Sequence, residues 1–279
     1  MSTNGKLIAK MLIESPQNNI FKTILSLKDK KSRDEAGLFI VEGQKQVSEI
    51  PEDWNIKRLI LSESYKGKTS KLESDKNLVT VSDKLFDKLS FTKTPQGIAA
   101  VVEKKIFDLS KIIKQNGFFI ILENIADPGN LGTIIRSADA FGAKAVFVSN
   151  GSTDIYSDKT IRSSMGSFFH IPVINTDAFE IIKSLKNESV SVLAATLEAK
   201  QPLSQSILAK KVAVIIGNES NGLSAKIQKE ADVLVKIDMP GKAESLNAAI
   251  AASIIMYEAS KTVTFSNKKR LIKQELSNV

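Results

Sequence analysis

The chain contains no cysteine and only one histidine, His170, among 279 residues. A disulfide framework, a thiol nucleophile, a Cys/His zinc site and a two-imidazole proton relay are therefore all excluded. Arginine is scarce as well: Arg33, Arg58, Arg136, Arg162 and Arg270 are the only five among 39 Lys plus Arg. A guanidinium fork suits fixed phosphate geometry whereas lysine is the ordinary solvated charge, so the arginine positions are the ones to watch. No run approaches the roughly 18 consecutive apolar residues of a membrane span. The opening MSTNGKLIAKMLIESPQNN has a short, broken apolar stretch without a small-residue cleavage pattern, and a cytoplasmic protein with no membrane partner is expected. There is no G-x-G-x-x-G, which removes the main support for a nicotinamide site.

What is present is a basic, globular composition. The net charge is +8, with 25% charged and 42% hydrophobic residues. The pI near 9.4 favours a polyanionic partner, because Lys and Arg neutralise phosphates and release counterions. At roughly 100 to 200 residues per domain, the length suits two modest domains or one large one.

The first third alternates short elements. Asn18–Leu27 spaces Ile20, Ile24 and Leu27 at helical intervals behind an Asn cap, and Leu38–Val41 is a compact apolar run ended by Glu42-Gly43, with a second helix to follow. Ile56–Leu61, Leu78–Val81 and Gly97–Val102 read as strands, and Asp83–Leu89 as a helix. A boundary is expected near 105–115. Beyond it, strand-like runs at Phe118–Leu122, Ala145–Val148, Val190–Ala195, Val212–Ile216 and Val233–Ile237 alternate with helical patterns. This argues an α/β fold with a parallel sheet covered on both faces. The residues after about Ser260 look like a polar tail, and neither an internal repeat nor low complexity is found.

Four segments stand out. In ENIADPGNLGTIIRSADAFG, Asp127-Pro128-Gly129 turns the chain and Asn130 is placed to cap a helix with Leu131, Ile134, Ile135, Ala138 and Phe141 on its buried stripe. That leaves Arg136 outside, over Gly132, a seat for a phosphate or ribose that competes with a plain strand-turn-helix corner. In VAVIIGNESNGLS, a buried strand delivers Gly217, Glu219 and Gly222 to the carboxyl edge of a parallel sheet, where such folds bind ligands. A phosphate loop is ruled out there, since position 223 is leucine rather than the required lysine. In VLVKIDMPGKAESLNAAIAASIIMYE, Ser245 is expected to cap a helix. Ile237, Met239 and Leu246 could sandwich a flat ring while Ser245 and Asn247 offer hydrogen bonds. IRSSMGSFFHIPV reads as a glycine-bearing helix, with His170 structural rather than catalytic.

Taken in order, DPGNLGTIIRSADAFG, IIGNESNGLS and IDMPGKAESLNAAIAASIIMYE resemble the three motifs of the SpoU (TrmH-type) RNA ribose 2′-O-methyltransferases of the SPOUT class, over roughly residues 117–260. Residues 18–103, with KDKKSRDEAGLFIVEG, resemble the small substrate-binding domain that many of these enzymes carry. The resemblance implies a small α/β RNA-binding domain over 1–107, a parallel-sheet catalytic domain with a C-terminal trefoil knot over 108–263, and a polar tail over 264–279. It implies S-adenosylmethionine as methyl donor, no metal, and a homodimer with the active site completed near the interface.

Carried over by position, the resemblance gives Thr196, Gly217, Ile237, Met239 and Leu246 to the cofactor and Asn130, Arg136, Glu219, Ser245 and Asn247 to the polar active site. In that reading Arg136 clamps the target phosphate and steadies the developing alkoxide, with Glu219 or a phosphate oxygen as proton acceptor. Lys28, Lys30, Lys31 and Arg33 form a basic loop expected on the RNA backbone. Structured ribosomal RNA is the expected substrate. The alternatives are transfer RNA, a non-catalytic RNA-binding or ribosome-assembly module, and, disfavoured by NLGTIIR and SLN, base methylation.

Overall fold

A computed structural model describes residues 12–67, 77–204, 207–208 and 211–261. The chain divides into two compact units, one of residues to Ile106 with Tyr156–Arg162, the other of Phe107–Ile155 and the residues from Ser163 on. The expected polar tail over 264–279 lies outside the described residues.

Unit 1 begins with β1 (Leu12–Ile13), α1 (Asn19–Ser26), α2 (Lys30–Ala36), β2 (Leu38–Glu42) and α3 (Gln44–Ser48). It continues with β3 (Ile56–Ser62), β4 (Leu78–Val81), α4 (Asp83–Leu89) and β5 (Ile98–Glu103). The sheet order is β1-β4-β3-β5-β2, parallel from β1 to β3 and antiparallel from β3 to β2. Asn18 starts α1 as expected, its Oδ1 accepting from the Ile20 and Phe21 N–H groups at 2.9 and 3.3 Å, which points Phe21 and Ile24 into the core with Ile40, Ile60, Phe86 and Val101. The basic loop is instead mostly the helix α2, with Lys28 in the turn before it. Asp29 caps it by accepting from Ser32 N at 3.0 Å, and Gly37 ends it with φ 65°; KKSRDEA carries no apolar stripe that would announce a helix.

Downstream follow α5 (Leu109–Ile112), β6 (Gly117–Leu122), α6 (Pro128–Phe141), β7 (Val146–Ser149), α7 (Asp158–Ser163) and β8 (Val173–Thr176). Then come α8 (Ala178–Asn187), β9 (Ser191–Ala195), β10 (Gln201–Pro202), β11 (Lys211–Ile216), α9 (Ala225–Glu230), β12 (Val233–Lys236) and a helix over 248–261, here α10. Seven strands form an all-parallel sheet of order β10-β12-β9-β11-β6-β7-β8. β6 and β7 are buried end to end, which is why they read as unbroken apolar runs. The chain moves outward from β6 to β8 and then crosses to the other side, so strand order reverses between β6 and β11. Ligands of open α/β sheets bind at such a reversal, beyond the carboxyl ends of the strands.

Three local expectations are corrected. Asp127, not Asn130, caps α6: its carboxylate accepts from Asn130 N at 2.9 Å and Pro128 takes the first helical position, where its missing N–H costs nothing. Asn247, not Ser245, starts α10, its Oδ1 accepting from Ala249 N at 2.9 Å and Ile250 N at 3.3 Å. The segment Ile161–Val173 is not one helix, because Met165 and Gly166 at φ 54° and 99° break it between α7 and a 3-10 turn at Ser167–Phe169. His170 lies after that turn, its ring 3.1 Å from the Asp139 carboxylate. Among the described residues no helix is long and apolar enough to cross a membrane.

Candidate active site

The carboxyl ends of β9, β11 and β12 open onto a cavity of about 320 Å³ in unit 2. The expected cofactor positions Thr196, Gly217, Ile237, Met239 and Leu246 all line it, with Glu219 and Ser245. Leu203, Val235 and Ile255 add apolar wall. A pocket of this kind, apolar with a few polar groups on one side, suits a ligand with both a flat ring and hydrogen-bonding edges.

From Glu219 in the cavity wall runs a line of hydrogen bonds that joins three distant stretches of sequence. Asn247 Nδ2 donates to Asn130 Oδ1 at 3.1 Å, and Asn130 Nδ2 donates to Glu219 Oε1. The two cap corrections explain the line. With Asp127 serving the backbone of α6, the Asn130 amide is released to bond sideways; Asn247 spends its oxygen on α10 and keeps its NH₂ for Asn130. α10 lies along α6, through Ser137 Oγ and Ser253 Oγ at 2.8 Å and the Phe141 and Tyr257 rings with centroids 5.9 Å apart.

Arg136 is not part of this line. It sits six residues along α6 from Asn130, about 9 Å of helix rise, and is exposed; among the described residues no hydrogen bond or ion pair engages it. Ser245 is exposed in the loop before α10.

The loop between β11 and α9 is held at both ends by two consecutive residues at the end of β6. Asn124 C=O accepts from Asn218 Nδ2 at 2.9 Å, and the Glu123 carboxylate, only 7% exposed, accepts from Ser224 N at 2.9 Å and Ser224 Oγ at 2.6 Å. Asn218 Oδ1 turns the loop by accepting from Ser220 N at 2.8 Å, and Gly222 N donates back to Asn218 O at 2.9 Å. These holding residues escaped the sequence reading. The signal available was an acidic residue closing an apolar strand, at the point where a parallel sheet puts its ligand.

The basic group of unit 1 is rearranged. Arg33 is 8% exposed and its Nη1 donates to the carbonyls of Leu27 at 2.9 Å and Lys28 at 2.8 Å, so it holds the α1–α2 turn from within. Lys28 Nζ donates to the carbonyls of Lys88 and Ser90 at 3.0 and 2.7 Å. Lys30 and Lys31 stay at the surface, 2.7 Å from Asp34 and 3.9 Å from Glu35.

Residues 117–257 match the model of the SpoU rRNA Methylase family, and residues 18–100 match the MRM3-like substrate binding domain. The chain belongs to the SpoU rRNA methylase family. It is 35% identical over 248 residues to the 23S rRNA (guanosine(2553)-2′-O)-methyltransferase RlmP of Bacillus subtilis, covering 88% of this chain and 97% of that one. It is 29% identical to the 23S rRNA (uridine(2479)-2′-O)-methyltransferase of Streptomyces viridochromogenes, over 86% of this chain and 87% of the relative. The AdoMet-bound rRNA methyltransferase of Sinorhizobium meliloti superposes with a TM-score of 0.79 at 31% identity, covering 90% of this chain and 97% of that structure.

Proposed function

We propose that this member of the SpoU family transfers a methyl group from S-adenosylmethionine to a ribose 2′-hydroxyl of ribosomal RNA, acting as a cytoplasmic homodimer. The observation that carries the reading is the Asn247–Asn130–Glu219 line that reaches an apolar-walled cavity through Glu219, with the Arg136 guanidinium farther along α6 and, among the described residues, engaged by no hydrogen bond or ion pair. Ribosomal rather than transfer RNA is supported by the two relatives named for 23S rRNA.

Thr196, Gly217, Ile237, Met239 and Leu246 would hold the methyl donor, and the cavity they line fits a ligand that is part ring and part polar chain. When bound, S-adenosylmethionine supplies an electrophilic methyl carbon on a positively charged sulfur. The chain's own task is alignment and proton control. Asn130 fixes one oxygen of Glu219, which positions the other to take the hydroxyl proton as the new O–C bond forms; a placed base contributes about 100-fold to 10,000-fold. Arg136 grips the phosphate beside the target ribose and steadies the oxygen's developing negative charge. Asn247 keeps Asn130 in register, and Ser245 offers a hydroxyl at the cavity rim.

The outward face of α10 supports the homodimer: Ile250 and Ile254 are 53% and 36% exposed, one helical turn apart. In this proposal the second copy completes the active site near the interface. The proposal includes the trefoil knot. Supporting it is the path of the chain from β12 past the β11–α9 loop back to α6. Unit 1, with Lys30 and Lys31 at its surface, is the RNA-holding domain of this reading; of the divisions 1–107, 108–263 and 264–279, the second is modified because Tyr156–Arg162 belongs with unit 1.

The test is a thermal shift with S-adenosylhomocysteine followed by transfer of labelled methyl to unmodified 23S rRNA and to tRNA, with nuclease mapping. At 100 times its dissociation constant the product analogue adds about 2.7 kcal/mol of stability. Methyl on a ribose of rRNA is expected, with Arg136→Lys reducing turnover about 100-fold. Absence of a shift, or methyl on a base, overturns the reading.

A further inference from the structure

Unit 1 contains a second cavity, of about 360 Å³, beyond the carboxyl ends of β3 and β4 and outside every site described above. Its wall is polar: the Ser62 and Ser64 hydroxyls, the Asp83 and Asp87 carboxylates, the Gln96 amide and the Tyr65 ring, with Lys66 exposed at the rim. Two features keep it open and fix its edges. Gly97 adopts φ +74°, and a Cβ there would lie 2.5 Å from Ser62 Oγ and 3.4 Å from the Tyr65 ring, so a side chain would fill the floor. Gln96 Oε1 accepts from Gln44 N at 2.7 Å, which leaves the amide NH₂ as the group it can present.

The chemistry of the wall narrows the ligand. Asp83 Oδ1 accepts from Ser64 Oγ at 2.8 Å and Ser64 N at 3.2 Å, and these bonds hold its carboxyl below the ordinary range; it is an acceptor at neutral pH. A phosphate in the cavity would face two carboxylates. An apolar ligand would strip water from hydroxyls and carboxylates without replacing their hydrogen bonds. Among the described residues there is no group of three metal-ligating side chains. A planar heterocycle beside Tyr65 with adjacent N–H donors matches the carboxylates, and an acceptor on the same edge matches the Gln96 amide. Of the four RNA bases only guanine places two donors, N1–H and the 2-amino group, side by side for a carboxylate, with an acceptor oxygen next to them for the Gln96 amide. Adenine and cytosine turn a ring acceptor toward the carboxylate, and uracil flanks its single N–H with two carbonyls.

We infer that this cavity takes one unstacked guanine of the RNA, with Lys66 on an adjoining phosphate. The inference rests on the RNA-substrate reading above and assigns unit 1 a base-reading role in addition to backbone contact.

The test uses the full chain and fluorescence anisotropy with the labelled pentaribonucleotides UUGUU, UUAUU and UUUUU, and with inosine replacing the guanosine. UUGUU is expected to bind about tenfold more tightly than the other two, with inosine, which lacks the 2-amino group, in between. Asp83→Asn, which swaps one acceptor for a donor at constant size, should abolish the preference. Gln96→Ala, at an exposed position, should weaken it and serves if Asp83→Asn does not fold. Equal binding of the three pentamers, or an unchanged preference in both variants, overturns the inference. S-adenosylhomocysteine affinity, measured on the same samples, belongs to unit 2 and should be unaltered in both variants; its absence from the wild type counts against the methyl-transfer reading and leaves the base preference to be judged by itself.

Discussion

A methyl group at position 217 has no room. A Cβ there would lie 2.4 Å from the Gly222 carbonyl and 2.7 Å from Leu223 N, all backbone of the same held loop. Gly217→Ala must therefore push the loop off the Glu123 and Asn124 anchors, at a cost of about 1–3 kcal/mol. We expect affinity for S-adenosylhomocysteine to fall about tenfold by calorimetry; unchanged affinity would show that the loop yields freely. Arg33 makes the opposite point, since its charge serves the fold. Arg33→Ala leaves the Leu27 and Lys28 carbonyls without their buried donor and should lower stability by about 2–4 kcal/mol in urea titration, while the folded protein binds RNA as before. Residue identities in the motifs were legible without coordinates, because glycine, asparagine and glutamate at sheet-edge turns have few other uses. Their hydrogen-bond duties were not. Asp127 and Asn130 compete for one cap, and only the position of Pro128 at the first helical residue decides between them.

At the scale of elements, α2 shows what charge alone does for a short helix. Asp34 accepts from Lys104 at 2.6 Å and Lys30 at 2.7 Å, and these bonds hold its carboxyl at about 2 rather than 3.8. The folded pKa is depressed, so between those values the unfolded chain binds the proton that the folded chain refuses. The stabilisation is complete above about pH 4 and is lost as pH falls toward about 2. Asp34 is half exposed at 49%, so solvent screens the pair and the effect is modest. Asp34→Asn should flatten the acid limb of a stability-versus-pH curve by removing the modest stabilisation present above about pH 4, so that the two proteins differ at neutral pH and converge toward pH 2; an unchanged limb would show that the pair contributes nothing. The strands of unit 2 were legible to within about a residue at each end, since buried parallel strands are apolar throughout. Missed were β1 and β10, two residues each and too short for any period, and β8, hidden behind the left-handed break at Met165-Gly166.

At the scale of the whole molecule, the apolar stripe of α10 is the feature with the largest reach. Ile250→Asp and Ile254→Asp alter side chains that are exposed in the single chain, so folding of the protomer should survive. The proposed homodimer predicts that both variants sediment as monomers and lose methyl transfer together; a wild type that is already monomeric at assay concentration would exclude it. The α/β class and the parallel sheet followed from apolar periodicity. The reversal of strand order between β6 and β11 did not, because strand neighbours are set by crossover paths that no local pattern encodes.

The membership of Tyr156–Arg162 in unit 1 bears on where this chain can be cut. The Tyr156 ring packs 4.8 Å from that of Phe39, centroid to centroid, and Lys104 Nζ stands 4.7 Å from its centre. A fragment ending at Ile106 would leave the Phe39 ring without this aromatic neighbour, so the first unit of this chain is not a contiguous cassette that a single cleavage could release intact.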